Sequence, residues 1–248
     1  MLWWNSGSLS AAIKLVAVVF LLLLAGPGAI GQALSVLPVN VFISPGQKAT
    51  SLTVTNQGST ETAIQIRPYA WSQKDNGDPL DATGDVVLSP PIARIAPGAT
   101  QVVRLILRQS PESREATYRI LIDQIPPPAE PGTVHVVLRL SIPIFVKPPV
   151  RAFPDVQFHL ERDGGQIYLV AVNAGLIHEV IRNIEVTTSD GAKLKPSSST
   201  SPYVLSGATR RWQIAAQDAL PSTSETLQLT AHSDAGAIDQ QVRFVPAR

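Results

Sequence analysis

The segment VHVVLRLSIPIFV, Val134 to Val146, alternates almost without a break between apolar positions and mixed ones. Side chains along a β-strand point alternately to two faces, so a period of two predicts a strand with one apolar face. That face is formed by Val134, Val136, Leu138, Leu140, Ile142, Ile144 and Val146. The opposite face is mixed and includes Arg139 and Pro143.

The predicted strand is unusual in its length and in its proline. Ordinary strands have about five or six residues, and this one is far longer. Pro143 has no backbone N–H to donate, so at least one side of the strand should be unpaired or interrupted there. Because a long apolar edge strand normally promotes aggregation, we interpret it as a strand that pairs with another protein chain.

The first residues have the features of a secretory signal peptide. Lys14 is followed by the apolar run LVAVVFLLLLAG (15–26) and then by small residues through Ala33. The apolar run is short for a bilayer span of about twenty residues. We therefore predict a signal peptide over residues 1–32 and export to the periplasm, with an uncleaved membrane anchor as the alternative. No stable membrane insertion is expected after cleavage.

Composition excludes several classes of protein. The chain has no cysteine, so it has neither a disulfide framework nor a thiolate for catalysis or metal binding. Its formal net charge of +1 and lack of a basic stripe argue against nucleic acid as a partner. The absence of charge runs argues against polybasic attachment to a membrane surface.

Short apolar or alternating runs recur along the rest of the chain, separated by turns rich in proline and glycine, and helical periodicity is almost absent. This pattern predicts an all-β fold. The predicted strands before the long one are 39–43, 51–56, 62–71, 101–108 and 118–125. The predicted turn clusters are 44–47, 74–79, 89–99 and 126–132.

The segment KPPVRAFP (147–154) contains three prolines and predicts a short hinge between two domains. Past it, strands are predicted at 156–162, 166–173, 182–189, 210–214, 225–233 and 240–246. We predict two immunoglobulin-like β-sandwich domains in a boomerang arrangement. The N-terminal domain should span 33–149 and the C-terminal domain 150–248.

No catalytic motif is present. His135, His159, His178 and His232 are scattered without metal-ligand spacing, and no nucleophile motif occurs. The acidic segment 74–79 lacks the register of a calcium loop, and a polar hairpin loop fits it better. We expect no enzyme activity, cofactor or metal.

One alternative is a secreted adhesion or carbohydrate-binding module, but Trp71 and Trp212 are isolated in the sequence. Another is a secreted hydrolase, for which no set of catalytic residues can be named.

Four segments in the expected order resemble the periplasmic pilus-assembly chaperones, the PapD-like family. These are ISPGQKATSLTVTNQG (43–58), SPPIARIAPGATQVVRLILR (89–108), EATYRILIDQIPP (115–127), and the long strand followed by Lys147 and Pro148. The resemblance covers the chain after the signal peptide and is strongest over 36–149.

The resemblance implies that the long strand is the family's subunit-binding G1 strand. It would complete pilus subunits, incomplete immunoglobulin-like folds that lack their last strand, by donor-strand complementation. Delivery to an outer-membrane usher would need no ATP, and the product would be a pilus or spore-coat-like fibre. The inserting side chains would be Val134, Val136, Leu138, Leu140 and Ile142. Alternatively, such side chains fill the chain's own core, as we expect for Ile144 and Val146.

The sequence departs from the family where relatives hold the subunit's C-terminal carboxylate with an arginine and a lysine. Those positions are Asn40 and Pro143 here, and neither is cationic. Arg119 is the first candidate for the carboxylate anchor, Arg139 the second and Arg104 a distant third. Each could instead be a surface arginine paired with a neighbouring acid. These departures suggest the divergent, archaic branch of the family.

The resemblance also implies a charge cluster between the two domains, formed by Glu115, Lys147 and Asp234. A partly buried cluster of this kind would fix the angle between the domains rather than perform chemistry.

Overall fold

The computed structural model describes the chain over residues 34–74, 76–128, 132, 136–197, 201–215 and 221–246. Every regular element within these ranges is a β-strand, which confirms the all-β prediction. No helix in this part of the chain has the length and apolar character needed to cross a membrane. The predicted signal peptide, residues 1–32, lies outside the described residues.

The first β unit has two sheets. A four-stranded sheet has the order β1-β3-β8-β6, and a six-stranded sheet has the order β2-β10-β9-β4-β5 with β7 paired to β4. Its strands are β1 (Leu34–Leu37), β2 (Val41–Ile43), β3 (Ala49–Asn56), β4 (Thr62–Trp71), β5 (Leu80–Ala82), β6 (Val86–Ser89), β7 (Ile92–Ile95), β8 (Thr100–Leu107), β9 (Ala116–Ile125) and β10 (Arg139–Val146).

One apolar core fills the space between these two sheets. Strand β8 illustrates how the sequence builds it, because Val103, Leu105 and Leu107 are buried while their neighbours in the strand face outward. From the facing sheet, Ile64 and Ile120 are fully buried in the same core. The alternation of apolar and polar residues along each strand thus places the apolar side chains between the two sheets and so forms a sandwich.

Two predictions about this unit need correction. Residues 89–99 are not wholly a turn, because strand β7 lies inside them and buries Ala93 and Ile95 against the core. Among the described residues the long strand begins at Arg139, so Val136 to Leu138 lie outside the regular ladder. Leu138 still accepts a hydrogen bond from the backbone N–H of Gln124 at 2.9 Å.

The second β unit contains a seven-stranded sheet of order β11-β12-β17-β15-β14-β18-β19 and a two-stranded sheet of β13 and β16. Its strands are β11 (Val156–Asp163), β12 (Gln166–Asn173), β13 (Glu179–Val180), β14 (Arg182–Thr187), β15 (Lys193–Pro196), β16 (Tyr203–Val204), β17 (Thr209–Ala215), β18 (Thr226–Ser233) and β19 (Gly236–Arg243). The backbone N–H of Val245 donates to the carbonyl of Leu160 at 2.8 Å.

That hydrogen bond brings the chain after β19 against β11, so the two ends of the seven-stranded sheet meet around one core. Leu160, Leu169, Trp212 and Leu229 are among its buried side chains. Residues 147–155 connect the two units. The predicted domain boundaries, 33–149 and 150–248, and the boomerang arrangement stay predictions.

The loop between β4 and β5, residues 72–79, docks the first unit onto the second. Asp78 forms an ion pair with Arg210 at 2.9 Å, and the Arg210 side chain is only 3% exposed. Asp78 also accepts a hydrogen bond from Nε1 of Trp71 at 3.1 Å. The side chain of Gln73 donates to the carbonyl of Tyr203 at 2.9 Å. This polar hairpin, predicted without any function, therefore holds the two units together.

Replacing a core isoleucine should be costly where replacing a surface one is not. We expect Ile120→Ala to lower the free energy of unfolding by about 2–5 kcal/mol, because it leaves a cavity between the two sheets. The matched control is Ile106→Ala, at an exposed position of β8, which should change stability by less than about 0.5 kcal/mol. Urea denaturation followed by circular dichroism measures both, and equal losses would contradict the assigned core.

Removing the carboxylate of Asp78 should leave the buried guanidinium of Arg210 without its ion-pair partner. We expect Asp78→Ala to cost about 2–4 kcal/mol in urea denaturation, since Arg210 loses its ion-pair partner and Trp71 its acceptor. Asp234→Ala is the control, because its pair with Arg182 is half-exposed and should contribute about 0–1 kcal/mol. A loss at Asp78 no larger than at Asp234 would show that the hairpin does not stabilise the fold.

Candidate functional site

Strand β10 has a free backbone edge. It pairs with β9 along its full length, from Arg139 opposite Asp123 to Val146 opposite Ala116. On its other side it pairs with β2 only from Ile144 to Val146. The pairing with β2 begins directly after Pro143, as the missing N–H of proline predicts. The backbone from Arg139 to Pro143 is thus open to another strand on that side, among the residues that the structure describes.

The apolar side chains along this edge change gradually from buried to exposed. Ile142 is buried in the chain's own core, together with Ile144 and Val146. Leu140 is partly buried and packs against that core. Leu138 is 37% exposed and Val136 is 87% exposed. Val134, the remaining predicted inserting residue, lies outside the described residues.

The alternating pattern of the long strand therefore continues from the buried core to the exposed surface. Its C-terminal part completes the sandwich, as expected for Ile144 and Val146. Its N-terminal part presents apolar side chains that nothing in the described chain covers. An exposed large apolar side chain beside an open strand edge is a combination that soluble proteins usually avoid. This combination marks the edge of β10 as the candidate binding site.

The opposite, mixed face of the six-stranded sheet carries an ion network. Asp123 accepts hydrogen bonds from Arg67, at 2.6 Å, and from Nε of Arg139. Burial would raise the pKa of Asp123, but the two guanidinium groups outweigh it and hold that pKa below its usual value. Arg139, the second anchor candidate, is therefore already paired with an acid. Arg104 lies on β8 in the other sheet, away from this face.

Arg119, the first anchor candidate, has aromatic neighbours instead of an acid. Its guanidinium carbon lies 3.8 Å from the ring centroid of Trp71 and 5.6 Å from that of Tyr203. Nη1 approaches Oγ of Ser141 at 3.4 Å. Burial lowers the pKa of Arg119, although Tyr203 and Asp78 act in the opposite direction. No carboxylate in the described ranges forms an ion pair with it, and the nearby Asp78 is paired with Arg210.

Aromatic rings from both units pack together beside Arg119. The ring of Phe145, on β10, stacks on the imidazole of His178 with centroids 3.6 Å apart. Phe42 lies beside this pair, with its centroid 5.5 Å from that of Phe145 and 6.4 Å from that of His178, and half of its surface is exposed. Tyr203 meets Trp71 edge-on at 5.4 Å. These rings form a packed aromatic cluster between the two units, and Arg119 is the cation at its margin.

The structure does not bring Glu115, Lys147 and Asp234 together. The fully buried carboxylate of Glu115 contacts His178 instead, accepting from its backbone N–H at 3.0 Å and lying 2.6 Å from its Nδ1. Asp234 pairs with Arg182 at 2.7 Å. Lys147 is exposed, and within the described residues no ion pair joins it to either acid.

Several residues around this aromatic cluster were not predicted from the sequence, namely His178, Tyr203 and the pair of Asp78 and Arg210. His178 and Tyr203 lie in short segments without alternation between apolar and polar residues. Arg210 lies in the second unit, 132 residues after Asp78 in the sequence. The one available signal was Trp71, a large aromatic residue at the end of a well-predicted strand.

Known proteins show the same combination of sequence and fold. Residues 33–151 match the family described as pili and flagellar-assembly chaperone, PapD N-terminal domain. The chain is 30% identical over 111 residues to the uncharacterized fimbrial chaperone YbgP of Escherichia coli strain K12, covering 43% of this chain and 44% of that one. It is 27% identical over 139 residues to the chaperone protein PapD of Escherichia coli, covering 54% and 55%. These matches span about half the length of the relatives.

Solved structures share the fold over nearly all of the described chain. One is the CsuC–CsuE chaperone–tip adhesion subunit pre-assembly complex of archaic chaperone-usher Csu pili from Acinetobacter baumannii. Its TM-score is 0.65 at 21% identity, covering 87% of this chain and 100% of that one. Another is the Salmonella enterica SafA pilin with the SafB chaperone, with a TM-score of 0.58 at 15% identity, covering 86% and 95%.

This shared architecture confirms the prediction of two immunoglobulin-like β units, while membership of the archaic branch stays a prediction. The matching family, the relatives and the fold agree on one conclusion: residues 33–151 belong to the PapD N-terminal domain family, and the chain as a whole is similar to the PapD-like pilus-assembly chaperones.

Proposed function

We propose that this protein is a non-enzymatic periplasmic chaperone that captures pilus or fimbrial subunits by donor-strand complementation and delivers them to an outer-membrane usher without ATP. The observation that carries the proposal is the open edge of β10, where unpaired backbone from Arg139 to Pro143 adjoins the exposed side chains of Val136 and Leu138. Export to the periplasm rests on the predicted signal peptide at residues 1–32.

The free edge offers what an incomplete immunoglobulin-like subunit needs. Its backbone groups would satisfy the unpaired strand of the subunit, and its alternating side chains would enter the subunit's apolar groove. Val136, Leu138 and Leu140 suit insertion best, since Ile142 already packs in the chain's own core. Val134 continues the same alternation and stays a predicted fourth insert.

The energy available from these contacts is large enough to hold a subunit. Burying one such aliphatic side chain contributes roughly 1.5–3 kcal/mol. Three of them would contribute about 5–9 kcal/mol before the costs of ordering and association are subtracted. The backbone hydrogen bonds of the added strand would supply register and further affinity.

The margin of the aromatic cluster, beside the open edge, would hold the subunit's C-terminal carboxylate, with Arg119 as the anchor. Among the described residues Arg119 has no acidic partner; it is oriented by Trp71 and half-buried, so a carboxylate would gain a charge-assisted hydrogen bond there. Arg139 is a weaker candidate, because Asp123 already neutralises it. The rival carbohydrate-binding function gains no support, since both Trp71 and Trp212 are buried.

Placing a charge on the exposed edge should abolish subunit capture without unfolding the chaperone. We expect Leu138→Asp, co-expressed with a fimbrial subunit that the unchanged protein captures, to reduce the recovered one-to-one complex by at least tenfold, because an aspartate cannot enter an apolar groove. Ile106→Asp, at a similarly exposed apolar position on the far sheet, is the matched control and should leave the complex intact. Normal capture by Leu138→Asp, with an unchanged melting curve, would refute donor-strand complementation.

The two anchor candidates should differ in strength. A charge-assisted hydrogen bond contributes about 1.5–3 kcal/mol, so Arg119→Ala should weaken subunit binding by roughly ten- to a hundredfold. Arg139→Ala should weaken it by less than about threefold, since its charge is already paired. Titration of purified chaperone with denatured subunit, followed by complex formation on a native gel, measures both. The opposite order of effects would remove Arg119 as the anchor.

A further inference from the structure

Leu138, the exposed residue just before β10, has both of its backbone polar groups held by Gln124. Its carbonyl accepts from the backbone N–H of Gln124 at 2.9 Å, and its own N–H donates to Oε1 of the Gln124 side chain at 3.3 Å. The two residues continue the register of the β9–β10 ladder, in which Arg139 lies opposite Asp123. In an ordinary hydrogen-bonded pair of this kind the second acceptor is a backbone carbonyl. Here the side-chain amide takes its place.

The side chain of Gln124 is itself buried and anchored. Gln124 is 6% exposed, and its Nε2 donates to Oγ1 of Thr62 at 3.0 Å. Thr62, the first residue of β4, is only 5% exposed. A buried amide that is hydrogen-bonded at both of its ends has little freedom to rotate. Gln124 and Thr62 thus form a clamp on Leu138 whose position is fixed by the first unit's own sheet.

The clamp lies where the long strand leaves its own sheet. Two successive residues of β9 each hold one residue of the long strand with a side chain, because Asp123 pairs with Arg139 and Gln124 with Leu138. Within the described part of the chain no hydrogen bond holds residues 136–137. The clamp is therefore the last contact that orients the strand before its exposed end.

The clamp also decides which backbone groups face the open edge. Both polar groups of Leu138 point to β9, so those of its neighbours, Val137 and Arg139, point to the other side, because the direction alternates along a strand. Further along, the N–H of Lys147 has the same alternation as Arg139, and it donates to the carbonyl of Ile43, on the side of β2, at 3.0 Å. A slip of one residue would exchange the two sets and turn every side chain to the other face.

We infer that Gln124 is a positioning residue that sets the register in which the long strand enters the captured subunit. The inference rests on the proposed function and deepens it. With Leu138 held on β9, the side chains of Leu138 and Val136 face the subunit's groove, and the backbone groups of Val137 and Arg139 face its unpaired strand. Without the clamp, the strand before Arg139 could pair one residue out of step, with that arginine turned toward an apolar groove.

A single thiol on the strand reports its register, because the chain has no cysteine of its own. Leu138→Cys places the thiol on the inserting side of the strand, and Val137→Cys places it on the opposite side. Each is combined with Gln124→Met, which keeps the length of the side chain but removes its polar groups, and with Thr62→Val, which removes only its support. The matched control is Gln101→Met, at a half-buried glutamine of β8 in the far sheet.

The complex with a fimbrial subunit that the unchanged protein captures is treated with N-ethylmaleimide, and labelled chaperone is measured by mass spectrometry. We expect the Val137→Cys thiol to react about tenfold faster than the Leu138→Cys thiol, because the subunit's groove covers only the second. Gln124→Met should reduce this ratio to about threefold or less, since the strand then enters in more than one register. Thr62→Val should lower the ratio in the same direction, and Gln101→Met should leave it unchanged.

A ratio that stays near its original value in both Gln124→Met and Thr62→Val would overturn the inference and leave donor-strand capture intact. Equal reactivity of the two thiols in complexes of the otherwise unchanged protein would instead refute donor-strand capture itself. If Gln124→Met does not fold, or captures no subunit, Thr62→Val decides the outcome.

The free chaperone allows a test of the clamp that needs no subunit. Gln124→Met should raise the hydrogen-exchange rate of the Leu138 amide, followed by NMR, by about tenfold or more, because that N–H loses its acceptor. Gln101→Met should not change this rate. Equally slow exchange in Gln124→Met would show that Gln124 does not hold Leu138, and the inference would fail whatever the subunit does.

Discussion

The asymmetric pairing of β10 is the constraint on which the rest of the molecule depends. One side of the strand is paired with β9 throughout, so its position and register are fixed by the first unit's own sheet. The other side is paired with β2 only beyond Pro143. A strand paired on both sides could not accept a partner, and a strand paired on neither would have no fixed register. Pro143 marks the point along β10 where pairing with β9 alone changes to pairing with both β9 and β2.

The environment of each arginine on this face, rather than its charge, decides what it can do. Arg67 and Arg139 share the carboxylate of Asp123, and both remain accessible to water. Arg119 is half-buried between the rings of Trp71 and Tyr203, and no carboxylate among the described residues neutralises it. An incoming anion would therefore displace an existing partner at Arg139, whereas at Arg119 it would meet an unpaired, partly buried charge. The sequence alone gives only a weak reason to prefer Arg119 over Arg139 as the carboxylate anchor.

Much of the fold could be predicted because alternation is a local property of the sequence. The strand predicted at 62–71 coincides with β4, and that predicted at 166–173 coincides with β12. Strand β7 was missed because two prolines precede it and disguise its short alternation. The contacts between the units could not be predicted, since Asp78 and Arg210, like Glu115 and His178, meet only after both units have folded. The open edge was predictable from Pro143, but the graded burial from Ile142 to Val136 was not.

The hairpin that docks one unit on the other has a thermodynamic consequence. Arg210 is buried by its contact with Asp78, and the Glu115 carboxylate by its contact with His178. If either unit unfolded alone, the other would keep a charged or polar group that had lost its partner. The intermediate with one unit folded is thus penalised, and the two cores are expected to unfold as a single cooperative system. A protein with two separate hydrophobic cores is then expected to unfold in one transition, because the loop after β4 and the contact of Glu115 with His178 join those cores.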